Sequence, residues 1–256
     1  MYKAQLARLK DEQVKRSSGG KKGEGYSVKK SGDATVVLVG FPSVGKSTLL
    51  NALTNTESEV GAYAFTTLTC IPGLLEHKCA KIQVLDVPGV VHGAASGRGR
   101  GKEVLAVMRT ADLAVVVVDV NHPGHLDVLK REIYESGLRL DQKPPDVKIA
   151  KKSRGGIDIA STVKLTYTDF DTLTDVLKEF RIHNADVVIR ENITVDQFID
   201  VIEGNKVYIP SLVVLNKIDM VNENKLEQLK KKIAPDVLIS AQKSIGIEDL
   251  KESIFL

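Results

Sequence analysis

A glycine-rich octet that ends in a lysine and a serine is the first chemical signal in this sequence. Residues 40–47 read GFPSVGKS, which matches G-x-x-x-x-G-K-[ST], and they stand between a β-branched run at 35–39 and a helical pattern at 48–53. In this arrangement the glycines let backbone N–H groups point at a phosphate, the lysine reaches the β- and γ-phosphates, and the serine hydroxyl binds Mg²⁺. Such an octet arises by chance in about one chain of this length in a hundred. The sequence therefore predicts a nucleotide-phosphate site with Lys46 and Ser47 at its centre.

A second polar motif, at the end of a later apolar strand, indicates which base is bound. Asn216, Lys217 and Asp219 belong to the sequence NKID. A carboxylate placed there can accept hydrogen bonds from both N1–H and the exocyclic amine of guanine, and adenine offers neither donor in that arrangement. A buried carboxylate left without donors costs about 1–3 kcal/mol, which corresponds to roughly ten- to hundred-fold selection. Given the phosphate motif upstream and SAQ at 240–242, guanine recognition is favoured over a plain polar strand end.

Two further stretches supply groups for a magnesium ion and a γ-phosphate. Asp86 and Gly89 begin and end the sequence DVPG, which directly follows a predicted strand. This spacing suits a carboxylate behind the metal and a glycine that senses the γ-phosphate. Upstream, FTTLT at 65–69 places hydroxyl groups where a switch segment should cover the metal, so either Thr66 or Thr67 could ligate Mg²⁺.

The residues after Gly89 predict slow hydrolysis. Many GTPases have a glutamine directly after the Asp-x-x-Gly turn to orient the attacking water, whereas Val90 and Val91 occupy these positions here. A valine cannot hydrogen-bond water, so charge stabilisation must come from a cation, a switch residue or a partner. His92 is the nearest titratable side chain and could take part in catalysis, although a lone histidine in a loop is more often simply solvated.

The elements that must position these motifs alternate between strands and helices, which is typical of a mainly parallel α/β sheet. The predicted strands cover residues 35–39, 67–76, 81–86, 113–119, 211–216 and 237–240. The second and third are joined across residues 77–80 and are expected to form an edge hairpin. The predicted sheet is therefore mixed.

The connection between the strands that end at Asp119 and begin at Ser211 is too long for one crossover. It has 91 residues, whereas a βαβ unit needs about 30. The surplus carries its own signals, which are a turn at 154–156, helical patterns at 169–182 and 195–202, and a short strand at 187–190. We interpret residues 143–208 as an inserted α+β subdomain.

Composition and charge narrow the class of protein. No apolar run approaches the roughly 20 residues that a membrane helix needs, and the charged start lacks the apolar core of a secretory signal. Cys70 and Cys79 cannot form a disulfide framework, so a reducing, intracellular setting is expected. Residues 1–33 carry a net charge of +5 and the rest carry −2. A basic arm, either solvated or placed against phosphate, therefore precedes a nearly neutral body.

These patterns divide the chain into four segments. A basic helical arm and linker cover residues 1–27, and the first part of the nucleotide-binding domain covers residues 28–142. The inserted subdomain at 143–208 follows, and the second part of the nucleotide-binding domain covers residues 209–256.

The sequence resembles the Drg family, the developmentally regulated GTP-binding proteins of the Obg GTPase superfamily. The resemblance covers nearly the whole chain and rests on GFPSVGKSTLLN at 40–51, YAFTTL at 63–68, DVPGV at 86–90, GRGRG at 97–101 and RTAD at 109–112. It implies an α/β P-loop NTPase G domain with an N-terminal helical arm and an insertion like the second domain of ribosomal protein S5. It also implies that the second threonine of the pair, Thr67, is the magnesium ligand.

The resemblance further implies cofactors, partners and a cellular setting. Mg²⁺ is expected, and K⁺ is implied by the family, although relatives that use K⁺ have an asparagine where this loop has Ser43. The family serves translation or ribosome-associated work in the cytoplasm, often with a regulatory protein partner. The ligands would be GTP and GDP, and ribosome or RNA contact would use the basic arm and the insertion. Drg proteins carry a C-terminal TGS domain, whereas this chain stops at Leu256, so it is either truncated or a member without that module.

Motifs and resemblance together predict three sets of site residues. The predicted nucleotide contacts are Gly40, Pro42, Ser43, Val44, Gly45, Lys46, Ser47, Thr48, Phe65, Thr66, Thr67, Asp86, Gly89, Asn216, Lys217, Asp219, Ser240, Ala241 and Gln242. The predicted metal ligands are Ser47 and Thr67, with Asp86 behind the ion. The predicted catalytic residues are Lys46, Thr67 and Gly89.

Two rival functions stay open beside a slow GTPase switch. In an ATP-using P-loop enzyme, the NKID sequence would be accidental. In an RNA-binding scaffold, the nucleotide would be structural and never hydrolysed. Lys148, Lys151, Lys152 and Arg154 make the insertion locally basic, which suits ribosomal RNA or an acidic partner, and a solvated hairpin is an equally good interpretation.

Overall fold

The structure, a computed structural model, describes residues 32–54, 71–86 and 107–256. Its strands are β1 (Ala34–Val39), β2 (Ile71–His77), β3 (Ala80–Asp86), β4 (Leu113–Asp119), β5 (Leu138–Leu140), β6 (Val147–Lys151), β7 (Ile157–Ser161), β8 (Ala185–Ile189), β9 (Val207–Ile209), β10 (Ser211–Asn216) and β11 (Val237–Leu238). Its helices are α1 (Lys46–Thr54), α2 (His125–Glu135), α3 (Phe170–Glu179), α4 (Val195–Glu203), α5 (Glu223–Ile233) and α6 (Ile247–Phe255), with a 3₁₀ turn at Ile218–Met220. None of the helices described is long and apolar enough to cross a membrane. The predicted basic arm lies outside the described residues.

Six strands form one mixed sheet in the order β11-β10-β4-β1-β3-β2. Neighbouring strands are parallel except β2 and β3, which form the predicted antiparallel edge hairpin. The predicted α/β P-loop fold with a mainly parallel mixed sheet is therefore confirmed.

Two predicted strands of the main sheet do not match the structure to within one residue at both ends. Residues 67–70 of the second lie outside the described part of the chain, and β2 is described from residue 71 onward. The last strand was predicted to reach Ser240 but ends at Leu238. The reason is local, because the backbone of Ser240 exchanges hydrogen bonds with Ile245 in its own loop.

Alternate side chains of the central strands feed two hydrophobic cores, one on each face of the sheet. Val37 and Val39 belong to the core that includes α2 and α5, whereas Val36 and Leu38 belong to the core that includes α1 and α6. Because both faces are covered, these strands need no polar positions. This explains the apolar run of β4, in which residues 114–118 are fully buried.

The segment between β5 and β9 forms a second small sheet with its own core. The order is β6-β8-β7, with β6 antiparallel and β7 parallel to β8. Helices α3 and α4 contribute Leu173, Val176, Leu177 and Phe198 to a hydrophobic cluster separate from the other two. These elements match the predicted α+β insertion in type, and its limits at residues 143 and 208 stay a prediction.

The basic segment of this second sheet is not a hairpin. Since β8 lies between β6 and β7, the two strands that flank the turn at 154–156 do not pair with each other. The hairpin interpretation is therefore wrong. Lys152 forms ion pairs with Asp158 at 2.9 Å and Asp186 at 2.6 Å, whereas Lys148 and Arg154 are exposed.

A short parallel pair that the sequence did not predict, β5 with β9, joins the two parts of the chain. Next to it, the buried guanidinium of Arg139 donates to both carboxylate oxygens of Asp200 in α4, at 2.6 and 2.7 Å. Arg139 also lies over the ring of Tyr134, 3.6 Å from its centroid. Chain exit and return are thus adjacent, as an insertion requires.

Replacing Gly73 by alanine tests how tightly α1 packs on the edge hairpin. A Cβ at Gly73 would lie 2.4 Å from Thr54 Cγ2 and 2.8 Å from Leu50 Cδ1. We expect Gly73→Ala to lower the free energy of unfolding by about 1–3 kcal/mol because the core is overpacked, as measured by urea denaturation. Gly124→Ala is the matched control, since its Cβ would meet no atom within 4 Å. Equal stabilities of the two variants would contradict the tight packing.

Candidate functional site

The carboxyl ends of four parallel strands bring the predicted motifs to one edge of the sheet. Gly40 follows β1, Asp86 ends β3, Asp119 ends β4 and Asn216 ends β10. The register places Asp86 beside Leu38 and Asp119 beside Asn216. Ligands of open parallel sheets bind at this edge, and we call it the nucleotide edge.

The octet at 40–47 forms a tight loop that leads into the first turn of α1. Ser43 has φ of 62° and Gly45 has φ of 95°. Between them Val44 is buried, while Pro42 and the first-turn residue Thr48 are exposed. The free N–H groups at the start of a helix favour an anion. The loop therefore has the conformation expected of a phosphate-binding loop.

Lys46 is folded back over this loop. Its Nζ donates to the carbonyl oxygens of Gly40 and Phe41, both at 3.1 Å. Burial lowers the pKa of Lys46, and the charge of Asp86 opposes part of this shift. The ammonium group is thus held at the mouth of the loop by backbone oxygens.

Ser47 and Asp86 lie side by side, as the predicted metal site requires. Ser47 Oγ donates to Asp86 Oδ2 at 2.7 Å. The other oxygen, Asp86 Oδ1, is buried and has no hydrogen-bond partner among the described residues. The part of the chain that the structure describes contains no cluster of three His, Cys, Asp or Glu side chains that could hold a metal. Hydroxyl and carboxylate oxygens are ligands that fit Mg²⁺, which usually keeps water and phosphate oxygens as its other ligands.

Asn216 connects three loops through one buried side chain. Its Nδ2 donates to Val44 O at 2.8 Å, and its Oδ1 accepts from the backbone N–H groups of Ala241 at 3.1 Å and Lys217 at 2.8 Å. A Cβ at Gly45 would lie 2.5 Å from that Nδ2. The glycine of the phosphate loop is therefore needed for the approach of Asn216 as well.

Lys217 reaches from the turn at residues 217–220, which follows β10 and which we call the base-reading turn after its predicted role, to the phosphate loop. Its backbone is left-handed, with φ of 67°. Its Nζ donates to Ser43 O and to Asp119 Oδ2, both at 2.7 Å. Motif reasoning missed Asp119, although a carboxylate at the end of a strand on this edge was a usable signal.

Asp119 stays ionised at neutral pH. Burial acts to raise its pKa, but the hydrogen bonds from Lys217 and from the Asn121 N–H, together with the charge of Lys217, outweigh burial and lower the pKa. The Asn121 N–H lies 2.8 Å from Asp119 Oδ1. The carboxylate is therefore a fixed anion.

Asp219 lies in the 3₁₀ turn beside the loop that follows β11. A hydrogen bond from Ser240 lowers the pKa of Asp219, and Lys243, whose Nζ is 3.5 Å from Asp219 Oδ2, adds to this effect. Ala241 is buried, whereas Gln242 is exposed. The structure thus brings the NKID and SAQ sequences together, with an ionised carboxylate in the middle of the 3₁₀ turn.

Several predicted residues cannot be compared with the structure. Those outside the described residues are Cys70, Phe65, Thr66, Thr67, Gly89, Val90, Val91 and His92. Their roles remain predictions. The other cysteine, Cys79, is an exposed free thiol at the hairpin turn.

Comparisons with known proteins agree with this geometry. A family model described as "50S ribosome-binding GTPase" matches residues 35–152, and one described as "C-terminal region of MMR_HSR1 domain" matches residues 154–256. An uncharacterised GTP-binding protein of Methanocaldococcus jannaschii is 60% identical over an aligned length of 257, and the alignment covers 99% of this chain and 66% of that protein. Developmentally-regulated GTP-binding protein 1 of Xenopus laevis is 46% identical over an aligned length of 258, and the alignment covers 100% of this chain and 70% of that protein.

A plant relative gives the same result. Developmentally-regulated G-protein 3 of Arabidopsis thaliana is 47% identical over an aligned length of 235, and the alignment covers 90% of this chain and 64% of that protein. The chain thus spans about two thirds of the length of these relatives. The phosphate loop is hydrogen-bonded to the turn that carries the NKID sequence, and the chain is 46–47% identical to proteins that are named developmentally regulated. The chain therefore belongs to the developmentally regulated GTP-binding protein (Drg) family and is a GTP-binding protein of that type.

Proposed function

We propose that this chain is a Mg²⁺-dependent nucleotide switch that binds GTP and hydrolyses it slowly. The observation that carries the proposal is the double tie between the phosphate loop and the base-reading turn. Asn216 bonds to Val44 O and Lys217 to Ser43 O. These contacts set the two loops at a fixed separation, as one nucleotide that fills both requires.

Asp219 selects guanine in this proposal. Its carboxylate is ionised, since Ser240 lowers its pKa, and so both oxygens can accept hydrogen bonds from N1–H and the amine of guanine. A base without these donors leaves the carboxylate unpaired, which costs about 1–3 kcal/mol. Ser240 and Ala241 complete the base pocket, because the Ala241 N–H fixes Asn216.

The phosphates and the metal occupy the other end of the edge. Lys46 would leave its carbonyl partners for the β- and γ-phosphates, Ser47 would ligate Mg²⁺, and Asp86 would hold the ion from behind. When bound, Mg²⁺ neutralises charge that develops on the phosphate oxygens. Thr67 as second ligand and Gly89 as γ-phosphate sensor complete the proposal from the sequence.

Slow turnover follows from the side chains after Gly89. With Val90 and Val91 in place of a water-orienting glutamine, the stabilisation of charge is left to a cation or a partner. K⁺ is the cation proposed. Related GTPases that use K⁺ have an asparagine where this loop has Ser43, and in this chain the Ser43 carbonyl accepts a hydrogen bond from Lys217.

Ribosome-associated work in the cytoplasm is the proposed cellular role. It is supported by the description of the matched family model as a ribosome-binding GTPase and by exposed basic residues of β6 and the turn after it, which are Lys148, Lys151 and Arg154. These residues would contact RNA phosphates, and a regulatory protein partner is proposed from the resemblance. Since the chain spans only part of its relatives, these roles concern the whole protein.

Asp219→Asn is expected to change which base is bound. The amide N–H₂ of asparagine would face the 2-amino group of guanine, which is also a donor. The same N–H₂ can donate to the 2-oxo group of xanthine. GTP affinity should fall about tenfold or more, and xanthosine triphosphate affinity should rise. Competition of GTP, xanthosine triphosphate and ATP for a fluorescent nucleotide measures both. Glu227→Gln, an exposed acid paired with Lys230, is the control. An unmodified chain that prefers ATP would support the rival ATP-using enzyme.

Val90→Gln is expected to raise the intrinsic rate of GTP hydrolysis by about tenfold or more, because a side-chain amide can orient water. Single-turnover phosphate release in KCl and in NaCl measures the rate, and Glu227→Gln, a change at an exposed acid on α5, is the control. Equal rates for Val90→Gln and the unmodified chain in both salts would contradict the proposal. No release in any salt or variant would support the rival scaffold with a structural nucleotide.

Charge reversal in the second sheet tests the ribosome contact. The triple change Lys148→Glu, Lys151→Glu and Arg154→Glu should abolish co-sedimentation with ribosomes in the presence of a non-hydrolysable GTP analogue, and GDP should weaken it in the unmodified chain. A triple change on α5, Lys225→Glu, Lys231→Glu and Lys232→Glu, gives the same net charge and should leave binding intact. Equal losses in both variants would argue against a specific surface.

A further inference from the structure

Asp119 is a carboxylate at the nucleotide edge that belongs to none of the predicted motifs. It ends β4 in register with Asn216 of β10, and its side chain is only 7% exposed. One oxygen accepts from Lys217 Nζ at 2.7 Å, and the other accepts from the Asn121 N–H at 2.8 Å. The carboxylate is therefore held from two sides.

Lys217 links this carboxylate to the phosphate loop. Its Nζ also donates to Ser43 O at 2.7 Å, so two successive hydrogen bonds run from β4 to the loop. Ser43 has a left-handed backbone with φ of 62°, which is unfavourable for a residue with a side chain and must be held by its surroundings. A lysine stem is flexible, and an anion that fixes its end removes that freedom.

Two neighbouring residues, Asn216 and Lys217, make the hydrogen bonds that connect the loops of the nucleotide edge. Asn216 holds Val44 and Ala241 through a neutral amide. Lys217 holds Ser43 through a charged group whose side chain is 30% exposed, so this tie competes with water more than the Asn216 contacts do. The nearly buried Asp119 supplies the opposite charge that keeps the ammonium group in place.

We propose that Asp119 is a positioning residue for nucleotide binding, which holds Lys217 across Ser43 and so keeps the base-reading turn and the phosphate loop aligned for one guanine nucleotide. The inference rests on the proposed function. It assigns Asp119 no contact with the nucleotide, because the residue acts through Lys217.

Dissociation of N-methylanthraniloyl-GDP from the full chain, followed by stopped-flow fluorescence, tests this role. Asp119→Asn keeps an acceptor for the Asn121 N–H but offers Lys217 no negative charge, and dissociation should become about tenfold faster. Lys217→Met should also accelerate dissociation. The double variant should dissociate no faster than Lys217→Met alone, because Asp119 has nothing left to position. Additive effects would overturn the proposal.

Asp200→Asn separates positioning from a general loss of stability. It removes a carboxylate that is equally buried and ion-paired, with Arg139, away from the nucleotide edge. It should lower the melting temperature and leave GDP dissociation unchanged. Faster dissociation equal to that of Asp119→Asn would show that stability alone sets the rate, and the proposal would fail.

A second variant carries the test if Asp119→Asn does not fold. Asp119→Glu keeps the charge and displaces the carboxylate by one methylene, so dissociation should be severalfold faster in the unmodified background and unchanged in the Lys217→Met background. Acceleration in both backgrounds would overturn the proposal. An unmodified chain that does not bind the fluorescent GDP would overturn the proposed function as well, whereas binding with additive variants overturns only the role of Asp119.

Discussion

The buried side chain of Asn216 is the contact on which the nucleotide edge depends. With 2% exposure, it satisfies backbone groups of the phosphate loop, of its own turn and of the loop after β11. Each of these groups would cost about 1–3 kcal/mol if it were buried without a partner. Gly45 is constrained by the same contact, because no Cβ fits between it and the amide. The loop conformation is thus fixed by protein contacts as well as by any bound phosphate.

The sheet provides the rigid frame for this contact. The parallel strands are packed on both faces, which fixes their register and the position at which each one ends. Asp119 lies beside Asn216 as a consequence of the register between β4 and β10. Functional groups on strand ends with packed neighbours are held more closely than groups on free loops. Burial of the strands and placement of the charged groups are therefore two results of the same packing.

The chain returns from the second sheet through β9 to the start of β10, whereas the nucleotide edge lies at the carboxyl ends of the strands. Arg139 follows α2 and forms its buried bidentate pair with Asp200 of α4. Removal of one partner from such a pair strongly destabilises a protein, because the other charge remains buried without a counter-charge. At the opposite end of α2, the ring of His125 lies 4.0 Å from the ring of Phe41 in the phosphate loop. One helix thus has the insertion at its end and the nucleotide edge at its start.

The sequence alone determined the fold class, the positions of the main strands along the chain and the motifs at the nucleotide edge, because these depend on local patterns of apolar residues, glycines and polar strand ends. It did not determine the β5–β9 pair or the placement of β8 between β6 and β7, since three-residue strands carry little pattern and pairing order is a non-local property. Nor could it reveal the contact of Asp119 with Lys217, the second role of Gly45 or the engagement of Asn216 with three loops. These depend on which strand ends become neighbours, and only the packed sheet decides that.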